Sequence, residues 1–582
     1  MPYDTEVLII GAGMSGLGLA VQIIRKFGVR NFELIEKAED VGGTWLANKY
    51  PGCGCDVASH FYSYSFALNP NWTRKYSMQP EIQAYFRSVA EQYQVVDHIR
   101  FHSVVEKAEW DDRDKTWVVT VLDLNTQDRQ IRRAKILVSA VGALSVPKEC
   151  DIPGKDDFKG RMFHSAQWDW DLDWEGKDVV VLGNGCSATQ FLPIMASTNP
   201  VRKITQFSRQ AQYLSERENP YYSSIFKATM RYVPLAMRIY RAVFYWQMER
   251  DFSGFPIENG RPIREELKKG NEDYVKRVAP QGYWDALIPK AEIGCKRKVL
   301  DTEYLASLHK ENVELVHNDP VDRITDTGVQ TRSGRDVKAD AIVLAIGFAT
   351  QQMLFPMQIT GRHGLRLNEY WESTQVAQAY FGTCVPSFPN FFILMGPNTT
   401  TGHLSVIYTV ECQINFTLRV IAPIIHSLPS YRARLLPSLT PHLLRPAPTT
   451  VEVTAEAAHR DSTWTQKEAR KLVWSSGCVN WAVDPKTGLN NMMYPDWQYL
   501  FWLRSIFWKK ADFEYRDERT GEVVRRNKID AGRVVGFSAA ALLIAGTVWR
   551  REGAMEGLGA SLKEFGRGLV GWMPMGITAS RF

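Results

Sequence analysis

Val7-Leu-Ile-Ile-Gly11-Ala-Gly13-Met-Ser-Gly16, followed by an apolar-periodic stretch to about Phe27 and then by Phe32-Glu-Leu-Ile-Glu36, decides the fold of this 582-residue chain. The apolar run reads as a buried strand, the glycines as a turn, and the periodic stretch as a helix returning to a second strand. A lone G-x-G-x-x-G says little. Here it stands between strand and helix, and an acid ends the next strand, which is the context a dinucleotide requires. In that setting Gly11 makes the tight turn, Gly13 admits a pyrophosphate to the backbone, and Gly16 lets helix and strand close together. The helix N-terminus offers free N–H groups and a partial positive charge. Glu36 is placed to accept hydrogen bonds from ribose hydroxyls.

The pattern occurs twice. Asp178-Val-Val-Val-Leu182 runs into Gly183-Asn184-Gly185-Cys186-Ser187-Ala188, with a helix and the strand Lys203-Ile-Thr-Gln-Phe207 behind it. Alanine in the last position is an accepted variant. The copies differ informatively: Glu36 lies 25 residues after Gly11, whereas Ser208, followed by Arg209, lies 25 after Gly183. A carboxylate repels a 2′-phosphate, and an arginine pairs with it through two bonds. The first cradle therefore suits FAD or NAD and the second NADPH. Together they imply electron transfer from a nicotinamide to a flavin.

Outward from the cradles the pattern predicts an α/β protein with two Rossmann-like dinucleotide-binding domains, the second nested in the first. The FAD-binding domain is expected at 1–165 and 380–500. The NADPH-binding domain is expected at 166–379, with an aromatic-rich helical insertion at about 213–290, and 501–582 is left as an extension. Residues 428–449, rich in proline and serine, read as a surface excursion. With 45% hydrophobic and 23% charged residues the chain is globular, and its net charge of +6 forms no basic stripe that would mark a nucleic-acid partner. Eight cysteines in so long a chain make no disulfide framework, and Cys53 with Cys55 lacks the second pair or histidine of a zinc site. Cys53 and Cys55 are expected as reduced structural thiols, and no metal is expected. A strand beginning at Glu6 leaves no room for a secretory leader, which points to a cytoplasmic location. The sixteen-residue apolar run Val534–Trp549, set between Arg533 and Arg550-Arg551, is a candidate membrane contact. As a helix it reaches roughly 24 Å against a hydrocarbon core of about 30 Å, so a buried or interfacial helix is the alternative.

Between the cradles stands Phe158-Lys-Gly160-Arg-Met-Phe-His164-Ser-Ala-Gln-Trp168-Asp169. It resembles the FxGxxxHxxxW signature of Baeyer–Villiger monooxygenases, a branch of the flavin-containing monooxygenases. Gly42-Gly-Thr44-Trp45, Tyr50-Pro-Gly52 and Cys55-Asp56-Val-Ala-Ser-His-Phe-Tyr62 are similar to that family's flavin-side loop. Gly294-Cys-Lys296-Arg297 resembles its catalytic-arginine segment, Ala345-Ile-Gly347-Phe348 its second flavin-contacting turn, and Gly396-Pro-Asn398 with His403 its closing junction. The resemblance runs from about 5 to 500. It departs at Gly54, where the family often has arginine, at Gln210, commonly threonine, and throughout 213–290.

The resemblance implies a mechanism and a residue set. NADPH reduces FAD, O₂ adds to the flavin, and the peroxide attacks a ketone carbonyl to give an ester or lactone. Arg297 would stabilise the developing anion and Asp56 would hold the guanidinium in place. Lys296 would reach the NADPH phosphate with Arg209. The flavin-side set is Thr44, Trp45, Leu46, Ala47, Gly54, Cys55, Asp56, Val57, Tyr62 and the backbone of Val105. The nicotinamide-side set adds Thr189, Gln190 and Gln210 to the second cradle. His164 would be a hinge residue at the domain linker. Aromatics of the insertion, Tyr221 to Trp246 among them, are expected mostly in helix core, with a minority lining a pocket for a bulky apolar substrate of secondary metabolism. A flavin-peroxide hydroxylase of nitrogen, sulfur or carbon is the rival reading. It needs no fixed cation, so Arg297 with Asp56 argues against it. A disulfide reductase would need a CxxC pair, which Cys53 and Cys55 do not make.

Overall fold

Every residue of Thr5–Ile10 (β1) is buried, as a parallel strand covered on both faces must be. β1 lies between Phe32–Ile35 (β2) and the long strand Arg129–Ser139 (β6), parallel to both, with Ile10 level with Ile35 and Ser139. Ile99–Arg100 (β3) extends the far side of β2. Ser103–Asp111 (β4), Thr116–Asp123 (β5) and the first half of β6 form an antiparallel meander on the other side. The computed structural model describes residues 3–428, 431, 448–478, 480–517 and 523.

The second sheet is wholly parallel. Its order is Val313–Val316 (β12), Lys203–Phe207 (β9), Asp178–Leu182 (β8), Ala341–Leu344 (β16) and Arg161–His164 (β7). A short parallel pair, Leu214–Ser215 (β10) with Val299–Leu300 (β11), stands beside it, and the meander Val321–Thr325 (β13), Gly328–Thr331 (β14) and Asp336–Lys338 (β15) leads into β16. The chain then returns to the first sheet through Gln358–Thr360 (β17), on β4, and Phe391–Ile393 (β18), on β6. The two-cradle α/β architecture with a nested second unit is thus present. Strand pairing puts its crossings before 161 and by 358, ahead of the limits 165 and 380 that the sequence suggested.

Met14–Phe27 (α1) starts directly after Gly13 and stops at Gly28, whose left-handed backbone (φ 62°) returns an N–H to the Ile24 carbonyl. Thr44–Ala47 (α2) is a single turn, and Cys186–Met195 (α3) opens directly after Gly185. The insertion contains Ser224–Tyr232 (α4), Ala236–Glu249 (α5) and Arg261–Val278 (α6). Val406–Ser427 (α7) packs on α1, and Gln498–Ile506 (α8) on α7. The insertion's aromatics divide differently from the expectation: Tyr222, Phe226, Tyr240, Phe244 and Tyr245 are half-buried, but Tyr221, Tyr232 and Trp246 are exposed.

Cys295 and Cys478, 183 residues apart, are joined in a disulfide, while Cys53, Cys55 and four others are free. Among the described residues no His, Cys, Asp or Glu cluster could hold a metal, and no helix is long and apolar enough to cross a membrane. Val534–Trp549 lies outside the described residues, as does most of 428–449 and of the extension 501–582 beyond 517.

Candidate functional site

The first cradle fits a dinucleotide on geometry alone. Gly11 has φ +103°, and a Cβ on Gly16 would stand 1.9 Å from the Gly11 carbonyl oxygen, so a side chain at either would break the turn. The Gly42-Gly43 turn brings the Gly43 Cα to 3.5 Å from where a Cβ of Gly13 would be, laying α2 over the cradle. Glu36 is buried at the end of β2, where its carboxylate accepts the Ala12 N–H at 2.7 Å and the Ala38 N–H at 2.9 Å. Each oxygen keeps capacity for a ribose hydroxyl. On the loop side Trp45 donates its indole N–H to the Tyr62 hydroxyl at 2.9 Å, both buried. Leu46, Cys55 and Val57 are buried too, whereas Thr44 and Ala47 remain exposed. Val105 sits on β4 where the pairing with β5 shifts register.

In the second cradle no atom lies within 4 Å of a Cβ built on Gly185, which leaves room for a phosphate over the N-terminus of α3. Asn184 is fixed between the Gln210 carbonyl, to which it donates at 2.9 Å, and the Gln212 amide, from which it accepts at 3.3 Å. Ala188 is fully buried, and the Thr189 hydroxyl bonds the Cys186 carbonyl. Beside the cradle opens a cavity of about 340 Å³ lined by Arg209, Gln210, Lys296, Lys290 and His317. Burial and the neighbouring charge of Arg209 both depress the Lys296 pKa, so an anion there would be welcomed by two cations at once. Gln190 behaves otherwise than expected. Its carboxamide is engaged across the domain gap: it donates to the Gly54 carbonyl at 3.0 Å and accepts from the Gly54 N–H at 3.3 Å and the Tyr50 hydroxyl at 3.0 Å.

Asp56 and Arg297, 241 positions apart, meet in a two-pronged ion pair: Nε to Oδ2 at 2.8 Å and Nη2 to Oδ1 at 3.0 Å. The remaining edge of the guanidinium points to the Thr401 carbonyl at 3.5 Å. Burial works against the charge, but the Asp56 carboxylate outweighs it and holds the Arg297 pKa above its ordinary value. The pairing of β10 with β11, which starts two residues beyond Arg297, anchors the segment.

His164 closes β7. Its Nδ1 accepts the Ala166 N–H at 3.0 Å, so Nε2 carries the proton and donates to the Gly347 carbonyl at 3.0 Å. Burial lowers its pKa, and the Gly347 carbonyl opposes that only partly. With both nitrogens occupied the ring tethers β7 to the turn after β16 and has no lone pair free for proton transfer.

Two groups escaped sequence reasoning. Arg217 donates to the Cys55 carbonyl at 3.0 Å, and a Cβ on Gly54 would lie 3.4 Å from its guanidinium, so the cation missing from position 54 is supplied from another segment. Behind Thr401 runs a buried relay: the Thr401 hydroxyl meets His403 Nδ1 at 3.0 Å, His403 Nε2 meets Glu249 at 3.1 Å, and Glu249 accepts the Tyr499 N–H at 3.1 Å. His403 stands in the closing junction already noted, and the signal for its partner is that Glu249 is the first acid after Glu218, at the end of an apolar and basic stretch.

The pattern of the flavin-binding monooxygenase-like family matches residues 4–253. The chain is 36% identical over 417 residues to the FAD-binding monooxygenase ktnD of Aspergillus niger, spanning 70% of this chain and 67% of that protein. It is 32% identical over 497 residues to a Baeyer-Villiger monooxygenase of Pseudomonas aeruginosa, spanning 85% and 88%. Among solved structures it resembles an oxidized steroid monooxygenase bound to NADP at 27% identity and a TM-score of 0.70, over 88% of this chain and 99% of that one. The closed form of cyclohexanone monooxygenase shares the fold, with a TM-score of 0.75 at 23% identity, over 88% of this chain and 99% of that one.

Proposed function

This chain belongs to the FAD-binding Baeyer–Villiger and flavin monooxygenase family, and we propose that it inserts one atom of O₂ beside the carbonyl of a bulky apolar ketone. It is an FAD-dependent NADPH monooxygenase. FAD, once bound, supplies the chemistry that takes electrons from NADPH and activates O₂. The chain supplies placement and charge.

The observation that carries the ketone reading is Arg297 gripped by both oxygens of Asp56. A guanidinium held in one orientation can stabilise negative charge as it develops on oxygen during attack on a carbonyl. Oxygen transfer to nitrogen or sulfur develops no comparable anion on the substrate. The side chains of Arg297 and Asp56 are 27% and 29% exposed, so the pair is not sealed in the core. Gly294 and Gly402 are both backed by Phe255, which with Trp474 and Met493 belongs to a buried apolar cluster supporting the Arg297 and Thr401 segments. The preference for a large carbon skeleton, of the kind modified in secondary metabolism, rests on the aromatic-rich insertion, where Tyr222, Phe226, Tyr240, Phe244 and Tyr245 are only half-buried.

Arg209 and Lys296 hold the 2′-phosphate of NADPH, and the Gly11–Gly16 turn with Glu36 holds the FAD diphosphate and ribose. His164 keeps the linker in register. The test is product analysis with NADPH and a panel of cyclic and bulky ketones. An ester or lactone carrying one added oxygen is expected. Arg297→Ala should still reduce its flavin under anaerobic stopped-flow but form no ester. Ester at the wild-type rate from that variant, or only hydroxylated products from the wild type, would sink the reading.

A further inference from the structure

We propose that the outward face of α4 and α5, continued by α8, docks the enzyme on an anionic lipid surface. On α5, Ile239, Val243 and Trp246 recur at helical spacing and are 57%, 44% and 56% exposed. On α4, Ile225 and Tyr232 are 67% and 73% exposed. An amphipathic helix normally turns such a stripe inward, and a contiguous apolar patch left outward marks an interaction site.

The helices are not loosely attached. Tyr222, just before α4, with Phe226 on α4 and Tyr240 on α5 surround His60, their ring centroids 5.3, 5.7 and 5.3 Å from it. Arg241 reaches down from α5 to the Ser63 hydroxyl at 2.8 Å. The patch also crosses segments: Trp246 meets Tyr499, at the start of α8, with centroids 6.4 Å apart, and Trp502 one turn later is 42% exposed.

Charge selects the occupant. No Asp or Glu occurs from Asn219 to Met248 or from Trp497 to Ala511, and the charged residues there are all Lys or Arg. Arg241 and Arg504 turn inward, the latter to Asp461, but Arg231 on α4, Arg238 on α5, and Lys509 and Lys510 just after α8 are exposed. Apolar and aromatic side chains rimmed by cations are what an interfacial helix presents to anionic headgroups. A second copy of the chain would meet this face with its own identical rim, cation against cation, so a self-complementary dimer is disfavoured. The inference does not depend on the oxygenation chemistry.

The full-length protein should float with vesicles of phosphatidylcholine mixed with phosphatidylglycerol, bind much less to phosphatidylcholine alone, and be released by salt. Ile239→Glu with Val243→Glu should lower the partition coefficient at least about tenfold, and so should Trp502→Glu on the separate helix. Both variants should retain FAD and oxidise NADPH with a water-soluble ketone within about twofold of wild type, since the altered side chains face outward. Three results would overturn the proposal. They are failure of the wild type to bind either vesicle, binding of the variants as tight as wild type, and a change in sedimentation coefficient on substitution, which would assign the face to contact between copies.

Discussion

Asp56→Asn keeps the shape of the side chain and removes its charge, which makes it a direct probe of how Arg297 is held. In the wild type the two oxygens each accept one N–H, at 2.8 and 3.0 Å. An amide has one oxygen and one NH₂, so one bond survives and the other becomes donor against donor. A hydrogen bond between charged partners contributes about 1.5–3 kcal/mol. If that is lost from the orientation of the guanidinium when carbonyl attack occurs, product formation slows about 10- to 150-fold at 1.36 kcal/mol per tenfold. Reduction of the flavin by NADPH develops no anion beside Arg297 and should change by less than about threefold. The two steps are separable: anaerobic stopped-flow absorbance reads reduction, and product yield after oxygen and ketone are added reads insertion. An equal fall in both would mean that Asp56 serves only to build the flavin site. No fall in either would refute the orientation argument altogether.

Arg209→Ala should raise the KM for NADPH by about tenfold or more while leaving NADH use nearly unchanged, because only the 2′-phosphate loses a partner; equal losses with both nucleotides would remove the assignment. Gly16→Ala, whose Cβ would overlap the Gly11 carbonyl oxygen at 1.9 Å, should yield colourless apoprotein by flavin absorbance. His60 is buried, and burial followed by the charge of Arg241 lowers its pKa from 6.5 to about 4. The unfolded chain therefore takes up a proton that the folded one refuses, so stability is full above 6.5 and falls as pH drops toward 4. His60→Phe should flatten about 2 kcal/mol of the loss in urea stability between pH 7 and pH 5, and an unchanged profile would count against it. Glu249→Gln should lower kcat on ketone on the order of threefold to tenfold with the NADPH KM unchanged, as a relay acting through Thr401 requires; a change in KM alone would speak for a merely structural role.

What the sequence disclosed and what it withheld follow from the reach of the interactions. The two cradles are local: a strand, a turn and a helix N-terminus within thirty or so residues carry their own geometry. Asp56 and Arg297 could be paired because each lies in a segment resembling a known motif, although 241 positions separate them. Arg217 reaches Cys55 across 162 positions and Glu249 reaches His403 across 154, and neither Arg217 nor Glu249 lies in a segment resembling a known motif. Helical spacing in the insertion shows that an apolar face exists but not which way it turns, so it predicts a mostly buried set of aromatics from which Trp246 and Tyr232 emerge on the surface. The strands β7 and β17, of four and three residues, are too short for periodicity to say which sheet they join.

The carboxamide of Gln190 has a mechanical consequence. It belongs to the helix of one nucleotide unit and grips both backbone groups of Gly54 on the other, with Tyr50 as a further partner. A rotation of one sheet against the other must break these bonds, together with the Asp56–Arg297 pair and the Arg217 bond to the Cys55 carbonyl. At about 1 kcal/mol each the Gln190 bonds form a latch strong enough to define a resting angle and weak enough for thermal motion to open. Any relative motion of the two nucleotide units has to release Gln190, in the second turn of α3, along with those charged contacts.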